Sequence, residues 1–234
     1  MWIEGAIAVK AALQQGKRTV WRLCVDAHKN SKDFSYIKKL AAAKQVAVEN
    51  YDRSFLDELA VGKSHGGILA EVSERQSDEL IDSDILYLDG IEDPFNLGYL
   101  MRTAYAFGVR NIILPQRDYS SLEAQLLKSS AGAFDMLNVL FAEDVAAVFD
   151  KLQTSYVFYS LKRGETAHDI FQEQFAQRCL FMIGGEKRGI SAALLRYADR
   201  FLYIPYANDF RNSLSGSAAG DVVMTLLFNQ KRGK

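Results

Sequence analysis

The sequence predicts an α/β protein, with a small α/β domain at the N-terminus followed by a mostly parallel sheet that carries helices on both faces. Two observations predict this fold. Strand-length apolar runs such as DILYLDGI and YVFYSL recur along the chain, and amphipathic segments with helical spacing separate them. Such alternation is typical of parallel sheets, because the crossover between parallel strands is usually a helix. The 234 residues are 49% hydrophobic, which is ample for one large or two modest cores.

A polar, acidic segment divides the chain into two predicted domains. Residues 1–72 alternate helix and strand patterns, beginning with the helical run IEGAIAVKAALQQ, and have the size of a small three-layer domain. Residues 73–82 (SERQSDELID) have little to bury and form the predicted linker. Residues 83–234 form the second domain, in which runs such as RNIILP and FDMLNVLF indicate further strands.

Composition argues against a membrane protein, a secreted protein and a metalloprotein. No apolar run reaches the roughly 18 residues that a transmembrane helix needs, and Glu4 stands where a signal peptide has basic residues. The two cysteines lie far apart in apolar contexts, which indicates buried free thiols in a reducing cytoplasm. The three histidines, His28, His65 and His168, lack ligand spacing, so we expect no metal. The lack of a long apolar run likewise predicts no membrane partner. The two cysteines are Cys24 and Cys179.

Basic residues are concentrated near the N-terminus, although the net charge is only −1. The segment from Lys10 to Lys44 contains two acidic residues, Asp26 and Asp33. Its other cations are Lys17, Arg18, Arg22, Lys29, Lys32, Lys38 and Lys39. A basic face fits a nucleic-acid partner. An ordinary solvated surface explains the same pattern, and composition leaves both interpretations open.

Three loops are expected at the carboxyl ends of parallel strands, where open α/β sheets bind ligands. They are Asp89–Gly98, Gly184–Gly189 and Ile204–Ser217. Glycines directly after a buried strand let a ligand approach the backbone closely, although a tight strand-to-helix turn explains them as well. The GxGxxG fingerprint is absent from all three loops, which argues against a Rossmann-type nicotinamide or flavin enzyme.

Arg102 is the strongest candidate for a catalytic side chain. The pattern predicts a helix from Leu97 to a C-terminal stop at Gly108, with Asn96 as its N-cap. Arg102 follows Gly98 by four residues, so its guanidinium would lean over the helix start, where backbone N–H groups favour an anion. A solvent-facing helix arginine is the alternative.

Three segments of the second domain resemble, in order, the three motifs of the SpoU/TrmH family of RNA 2′-O-ribose methyltransferases, in the SPOUT superfamily. They are IEDPFNLGYLMRTAYAFG, IGGEKRGIS with the following IPY, and NSLSGSAAG. The family patterns are D-P-x-N-x-G-x-x-x-R-T-A, G-x-E-x-x-G and S-L-N-V-S-x-A. Residues 1–72 resemble the family's substrate-binding domain, which is similar to ribosomal protein L30e, through EGAIAVKAAL and HGGILAEV.

The resemblance implies a C-terminal trefoil knot and S-adenosylmethionine as the cofactor. The implied cofactor-binding residues are Gly184, Gly185, Glu186, Gly189, Ile204, Leu214 and Ser217. The implied polar catalytic residues are Asn96, Arg102, Glu186 and Ser213. Arg102 would orient the ribose near a substrate phosphate, as an electrostatic group or as the base. Asn96 and Glu186 would fix it in place, although outside the motif they indicate only an N-cap and an exposed turn residue.

The resemblance also implies methyl transfer to a ribose 2′-OH of structured RNA by a homodimer, which would form through the small residues Gly216, Ala219 and Gly220 of the last helix. The two-domain layout favours 23S ribosomal RNA, by analogy, over transfer RNA. One departure matters, because Ser215 and Gly216 stand where the family has asparagine and valine. A catalytically silent RNA-binding relative is therefore the alternative.

Overall fold

The computed structural model describes residues 1–60, 62, 64–164, 166–185 and 188–232, so the predicted site residue Glu186 lies outside the described residues. These residues form two compact units. The first unit comprises Met1–Gln76 and Asp118–Met136, and the second comprises Ser77–Arg117 and Leu137–Lys234. The predicted domain bounds 1–72, 73–82 and 83–234 stay a prediction.

The first unit is a four-stranded sheet with helices packed on it. Its elements are β1 (Trp2–Glu4), α1 (Ala6–Gln15), β2 (Val20–Asp26), α2 (Lys32–Ala43), β3 (Ala47–Tyr51), α3 (Arg53–Leu59) and β4 (Ile68–Val72), with α5 (Glu123–Ser129) and α6 (Ala133–Met136) from the later segment. The strand order is β1-β4-β2-β3, in which β2 and β3 are parallel. The helix predicted from residue 3 starts only at Ala6, because β1 pairs with β4 and Gly5 turns the chain at φ 92°.

A buried ionic network ties the segment Asp118–Met136 to the rest of the first unit. The Arg18 guanidinium donates to Asp135 Oδ2 at 2.9 Å and to Glu123 Oε2 at 2.7 Å. Glu123 also accepts a hydrogen bond from the backbone N–H of Arg75 at 3.0 Å. All three ionic side chains are at least 96% buried, where an unpaired charge would cost several kcal/mol. The network therefore fixes α5 and α6 in this unit.

The second unit is a seven-stranded sheet in which every described pairing is parallel. Its elements are β5 (Ile85–Asp89), α4 (Pro94–Ala106), β6 (Asn111–Pro115), β7 (Asn138–Ala142), α7 (Val145–Leu152), β8 (Val157–Leu161), β9 (His168–Asp169), β10 (Cys179–Gly184), α8 (Ala192–Leu195), β11 (Arg200–Tyr203) and α9 (Gly216–Lys231). The strand order is β7-β6-β5-β10-β8-β11-β9. The predicted α/β class with a mostly parallel sheet is confirmed.

The central strand β10 is covered on both of its faces. Leu180 and Met182 join an aromatic core on one face, in which the Phe149 ring meets the rings of Tyr87 and Phe158 edge-on at 5.1 Å. Ile183 points to the opposite face, where it packs near α9. Successive strand side chains point to opposite faces, so an apolar residue at every position indicates helices on both sides.

Two predicted boundaries are wrong for identifiable reasons. Helix α4 begins at Pro94 rather than Leu97, and its N-cap is Asp93, whose carboxylate accepts from the Phe95 N–H at 2.8 Å. Proline suits the first helical position because its missing N–H needs no partner there. Asn96 is therefore the third residue of the helix and not its N-cap. The predicted strand FDMLNVLF divides into the end of α6 and the strand β7.

Candidate cofactor cleft and active site

A cleft opens at the carboxyl ends of β8, β10 and β11, which are neighbours in the sheet of the second unit. Its empty volume is about 780 Å³, including space open to solvent. The loop after β10, the loop after β11 and the start of α9 each contribute walls. The cleft brings together six residues predicted from the sequence, which are Gly184, Gly185, Gly189, Ile204, Ser213 and Leu214.

After β10, the cleft is lined by the backbone of the glycines Gly184, Gly185 and Gly189. A Cβ on Gly184 would collide with the backbone of Gly189 and Ile190, and one on Gly185 would collide with the carbonyl of Gly90. Gly189 has a φ of +62°, a conformation that glycine adopts at little cost. The tight turn itself thus requires glycine, as the simpler interpretation expected. The same packing leaves peptide groups, rather than side chains, lining the cleft.

The two residues that depart from the family pattern have clear structural roles. Ser215 is the N-cap of α9, and its hydroxyl accepts from the Ala218 N–H at 3.1 Å. Serine and asparagine are about equally good at this position, so the cap survives the exchange. A Cβ on Gly216 would lie 2.9 Å from the Gly184 carbonyl oxygen, so glycine lets α9 start directly against the end of β10. Ser217 does not line the cleft, and its hydroxyl lies 3.0 Å from that of Ser215.

Arg102 and Asn96 lie on α4, which packs against α9, and neither residue lines the cleft. Arg102 is exposed, and within the described part of the chain it makes no hydrogen bond or ion pair. Asn96 is half-buried and forms no hydrogen bond with Arg102. The predicted contact with Glu186 lies outside the described residues. The guanidinium is thus available to a ligand.

Three further polar side chains line the cleft and were not named among the predicted site residues. Lys162 and Arg163 follow β8, and Tyr206 lies three residues after the end of β11, in the predicted loop Ile204–Ser217. The rule that ligands lie at the carboxyl ends of strands would have found all three, because each comes directly after a predicted strand.

The basic surface predicted near the N-terminus is smaller than the count of cations suggests. Arg18 is buried in the ionic network of the first unit. Arg22 donates to Glu71 at 2.7 Å and lies 3.4 Å from Glu49, which offsets its charge. Exposed aromatic side chains, Trp21 and Tyr36, lie in the same segment as the remaining lysines. Exposed cations and exposed aromatic side chains in one segment are compatible with a nucleic-acid partner.

Neither a metal site nor a membrane span is found in the described part of the chain. No group of three or more histidine, cysteine, aspartate or glutamate side chains there could hold a metal ion. No described helix combines the length and apolarity needed to cross a bilayer.

Comparisons with known proteins extend over nearly the whole chain. Residues 84–225 match the model of the SpoU rRNA methylase family, and residues 2–77 match that of the RNA 2′-O ribose methyltransferase substrate-binding domain. A Pseudomonas aeruginosa protein named 23S rRNA (guanosine-2′-O-)-methyltransferase RlmB is 28% identical, over 98% of this chain and 96% of its own length. A Synechocystis protein named as an uncharacterized tRNA/rRNA methyltransferase is 28% identical, over 98% of this chain and 62% of its own length.

The fold also matches solved structures. One is the SpoU methyltransferase AviRb of Streptomyces viridochromogenes in complex with AdoMet, with a TM-score of 0.80 and 22% identity, over 100% of this chain and 91% of that one. A crystal structure described as an RNA 2′-O ribose methyltransferase gives a TM-score of 0.80 at 22% identity, over 99% of this chain and 88% of that one. The predicted resemblance is thereby confirmed, and the chain belongs to the SpoU rRNA methylase family of S-adenosylmethionine-dependent RNA 2′-O-ribose methyltransferases.

Proposed function

We propose that this protein transfers a methyl group from S-adenosylmethionine to a ribose 2′-OH of 23S ribosomal RNA in the cytoplasm. The observation that carries the proposal is the cleft at the carboxyl ends of β8, β10 and β11, in a chain whose residues 84–225 match the methylase model and whose residues 2–77 match the substrate-binding model. The Pseudomonas aeruginosa relative is named for 23S rRNA, whereas the Synechocystis relative carries a tRNA/rRNA name. Transfer RNA is therefore the alternative substrate.

The walls of the cleft suit S-adenosylmethionine. Glycine peptide groups offer hydrogen-bond donors and acceptors to a polar ligand, and no Cβ blocks their approach. Apolar side chains of Ile183, Ile190 and Leu202 complete the walls, as expected for a site that takes an adenine ring. Gly184, Ile204 and Leu214 would hold the cofactor through their backbone. When bound, the cofactor supplies an electrophilic methyl group on its sulfonium.

Arg102 is the proposed catalytic residue for the RNA substrate. Its guanidinium, which has no ion-pair partner among the described residues, would bind a substrate phosphate and hold the ribose hydroxyl in line with the methyl group. An arginine keeps its proton at neutral pH because its pKa lies above about 12, so an electrostatic role is favoured over that of a general base. Asn96, Glu186 and Ser213 are proposed as the other polar groups of the site. Ser213 is exposed in the wall of the cleft.

The test of this assignment replaces Arg102 by alanine and measures two properties. We expect methyl incorporation into RNA to be abolished, while the affinity for S-adenosylmethionine stays within about two-fold, because Arg102 is not in the cleft wall. Arg178→Ala is the matched control, since Arg178 is a surface arginine paired with Asp82 next to the opposite end of β10. Full activity in Arg102→Ala would contradict the assignment.

The RNA substrate is identified by deleting the gene and mapping ribose methylations by mass spectrometry. Loss of one methylation in 23S rRNA supports the proposal, and loss of a tRNA methylation supports the alternative. If no methylation is lost and the purified protein does not bind S-adenosylmethionine, the silent RNA-binding relative is favoured. The roles of Ser215 and Gly216 do not favour that relative, because both residues preserve local structure.

The proposal includes a C-terminal trefoil knot and a homodimer. The start of α9 packs against the end of β10 and against Ile91, so the segment after β11 returns to the centre of the sheet, as a knot requires. Phe95 and Tyr99 of α4 are about half exposed and lie one helical turn apart. Exposed aromatic residues are enriched in protein interfaces, so we propose this face of α4 as part of the dimer contact.

A further inference from the structure

The loop from Tyr206 to Leu214 joins β11 to α9 and forms one wall of the cleft, with Tyr206, Ser213 and Leu214 in contact with it. Within the described residues, this loop makes no backbone–backbone hydrogen bond. The residues from Ala207 to Ser213 are all exposed to solvent. Side-chain contacts must therefore hold this wall in shape.

Arg163 supplies most of those contacts. Its guanidinium lies over the Tyr206 ring at 4.0 Å from the centroid, which is a cation–π arrangement. The same group donates to the backbone carbonyls of Phe210 and Arg211 at 3.4 and 3.3 Å, and to that of Asn212 at 3.5 Å. Only a planar, forked cation can stack on a ring and donate to several carbonyls at once.

Tyr206 links the two ends of the loop. Its hydroxyl accepts a hydrogen bond from the Leu214 N–H at 3.0 Å, which joins the first and last residues of the loop. Arg163 follows β8, whose last residue Leu161 pairs with Leu202 of β11. The arginine thus connects the loop to the sheet at the end of β8.

We propose that Arg163, acting through Tyr206, is a positioning residue that sets the affinity of the cleft for S-adenosylmethionine. The arginine holds the loop in the shape that completes the cofactor wall. This inference depends on the proposed location of the cofactor in this cleft. Arg163 acts on the loop and not on the reacting atoms, so its loss should affect cofactor binding more than the chemical step.

The test measures S-adenosylmethionine binding to the full-length protein by isothermal titration calorimetry. We expect Arg163→Ala to raise the Kd about five-fold, equivalent to about 1 kcal/mol. Arg163→Lys should recover only part of the affinity, because it restores the charge without the planar fork. Tyr206→Leu should also weaken binding, and the loss in the double variant should be smaller than the sum of the two single losses, since both substitutions remove the contact between the guanidinium and the ring.

Arg110→Ala is the matched control. Arg110 also stacks on a tyrosine ring, that of Tyr105 at 4.3 Å from the centroid, and donates to a backbone carbonyl at 3.0 Å, but it does not line the cleft. The Kd of this variant should stay within about two-fold of the wild type. An equal loss in Arg110→Ala and Arg163→Ala would indicate a general effect of losing an arginine and contradict the inference.

Two further measurements separate positioning from a general loss of structure. Steady-state kinetics of Arg163→Ala should show a raised KM for S-adenosylmethionine with kcat within about two-fold of the wild type. Trypsin cleavage after Arg211 should become faster, as judged by mass spectrometry, while the melting temperature stays unchanged. Wild-type protein that fails to bind the cofactor contradicts the proposed function, whereas normal binding by Arg163→Ala contradicts this inference alone.

Discussion

At the scale of single residues, Ser215 shows how a departure from a family motif can preserve structure. Its hydroxyl accepts from the Ala218 N–H and so satisfies one of the orphan donors at the start of α9. Asparagine does the same through its side-chain oxygen, which explains why the exchange leaves the helix intact. The sequence pattern alone indicated a possible loss of activity, because it carries no information on which role the motif residue performs.

Ser215→Ala should therefore lower the free energy of unfolding by about 1 kcal/mol, since the cap is lost. Ser215→Asn, the family residue, should unfold within about 0.5 kcal/mol of the wild type, because asparagine and serine cap about equally well. Urea unfolding followed by circular dichroism measures both variants. Equal destabilisation by the two substitutions would argue that the side chain at this position does more than cap α9.

Cys179 gives a second prediction at the residue scale. Burial raises the pKa of this thiol to about 12, against the opposing effect of the Lys231 ammonium 3.9 Å away. The reactive species is the thiolate, so native protein should resist iodoacetamide at pH 8, whereas unfolded protein, with a thiol pKa of about 8.5, should react readily. Burial also raises the pKa of Cys24, so neither cysteine should label in the native state.

Labelling followed by mass spectrometry measures this, with protein in urea as the control. The folded state keeps its Cys179 proton to higher pH than the unfolded chain does. The contribution of this thiol to stability is therefore present below about pH 9 and lost as the pH rises toward 12. Rapid native labelling of Cys179 at pH 8 would contradict the buried environment.

At the scale of elements, the buried Arg18 network joins α5 and α6 to a sheet that lies more than a hundred positions earlier in the sequence. Arg18→Met should lower the free energy of unfolding by about 3–5 kcal/mol, because the buried Glu123 carboxylate would lose its 2.7 Å ion pair and Asp135 would keep the longer contact with Arg75 at 3.6 Å. Arg22→Met is the control, since Arg22 is 39% exposed and a surface pair contributes only about 0–1 kcal/mol. Urea unfolding should separate the two variants clearly, and similar effects would contradict the network's role.

The same network illustrates what the sequence could and could not predict about the fold. Strands such as β5, β6, β8 and β10 were predicted because each is a short apolar run, a pattern that depends only on neighbouring residues. The position of α5 and α6 in the first unit depends on one buried arginine and two carboxylates far apart in the chain, which produce no periodic pattern. The start of α4 was predicted at Leu97, where the apolar helical spacing begins, although the capping signal Asp93-Pro94 stands before it.

The candidate site was predictable to a similar extent. The glycines and Ser213 came from the motif, and the structure places six motif residues around one cleft. Arg163 belongs to no motif, and Tyr206 lies in the quoted IPY segment without being a predicted site residue; their contact arises only when β8 and β11 lie side by side. Contacts between loops of adjacent strands are a property of the sheet order, which the sequence pattern did not specify.

At the scale of the whole molecule, the glycines of α9, Gly216 and Gly220, already pack closely against other parts of the same chain. A Cβ on Gly220 would collide with the Leu100 side chain of α4 and lie 3.0 Å from Ile183 Cδ1. This part of α9 therefore packs inside its own unit, so the proposed homodimer needs other surface. We propose the exposed face of α4 for this contact, with Phe95, Tyr99 and Arg102 at positions i, i+4 and i+7.

Tyr99→Glu should therefore convert a dimer into a monomer, because a carboxylate in the centre of an apolar contact would be desolvated without a partner. Sedimentation velocity at micromolar concentration measures the mass, and wild-type protein should sediment as a dimer. Tyr36→Glu is the matched control, since Tyr36 is a similarly exposed tyrosine, on a helix of the first unit, and its replacement should leave the dimer intact. Because Arg102 lies on the same face of α4, Tyr99→Glu should also reduce methyl incorporation while S-adenosylmethionine still binds the cleft of each monomer. A monomeric wild type, or an unchanged dimer in Tyr99→Glu, would contradict the proposed contact.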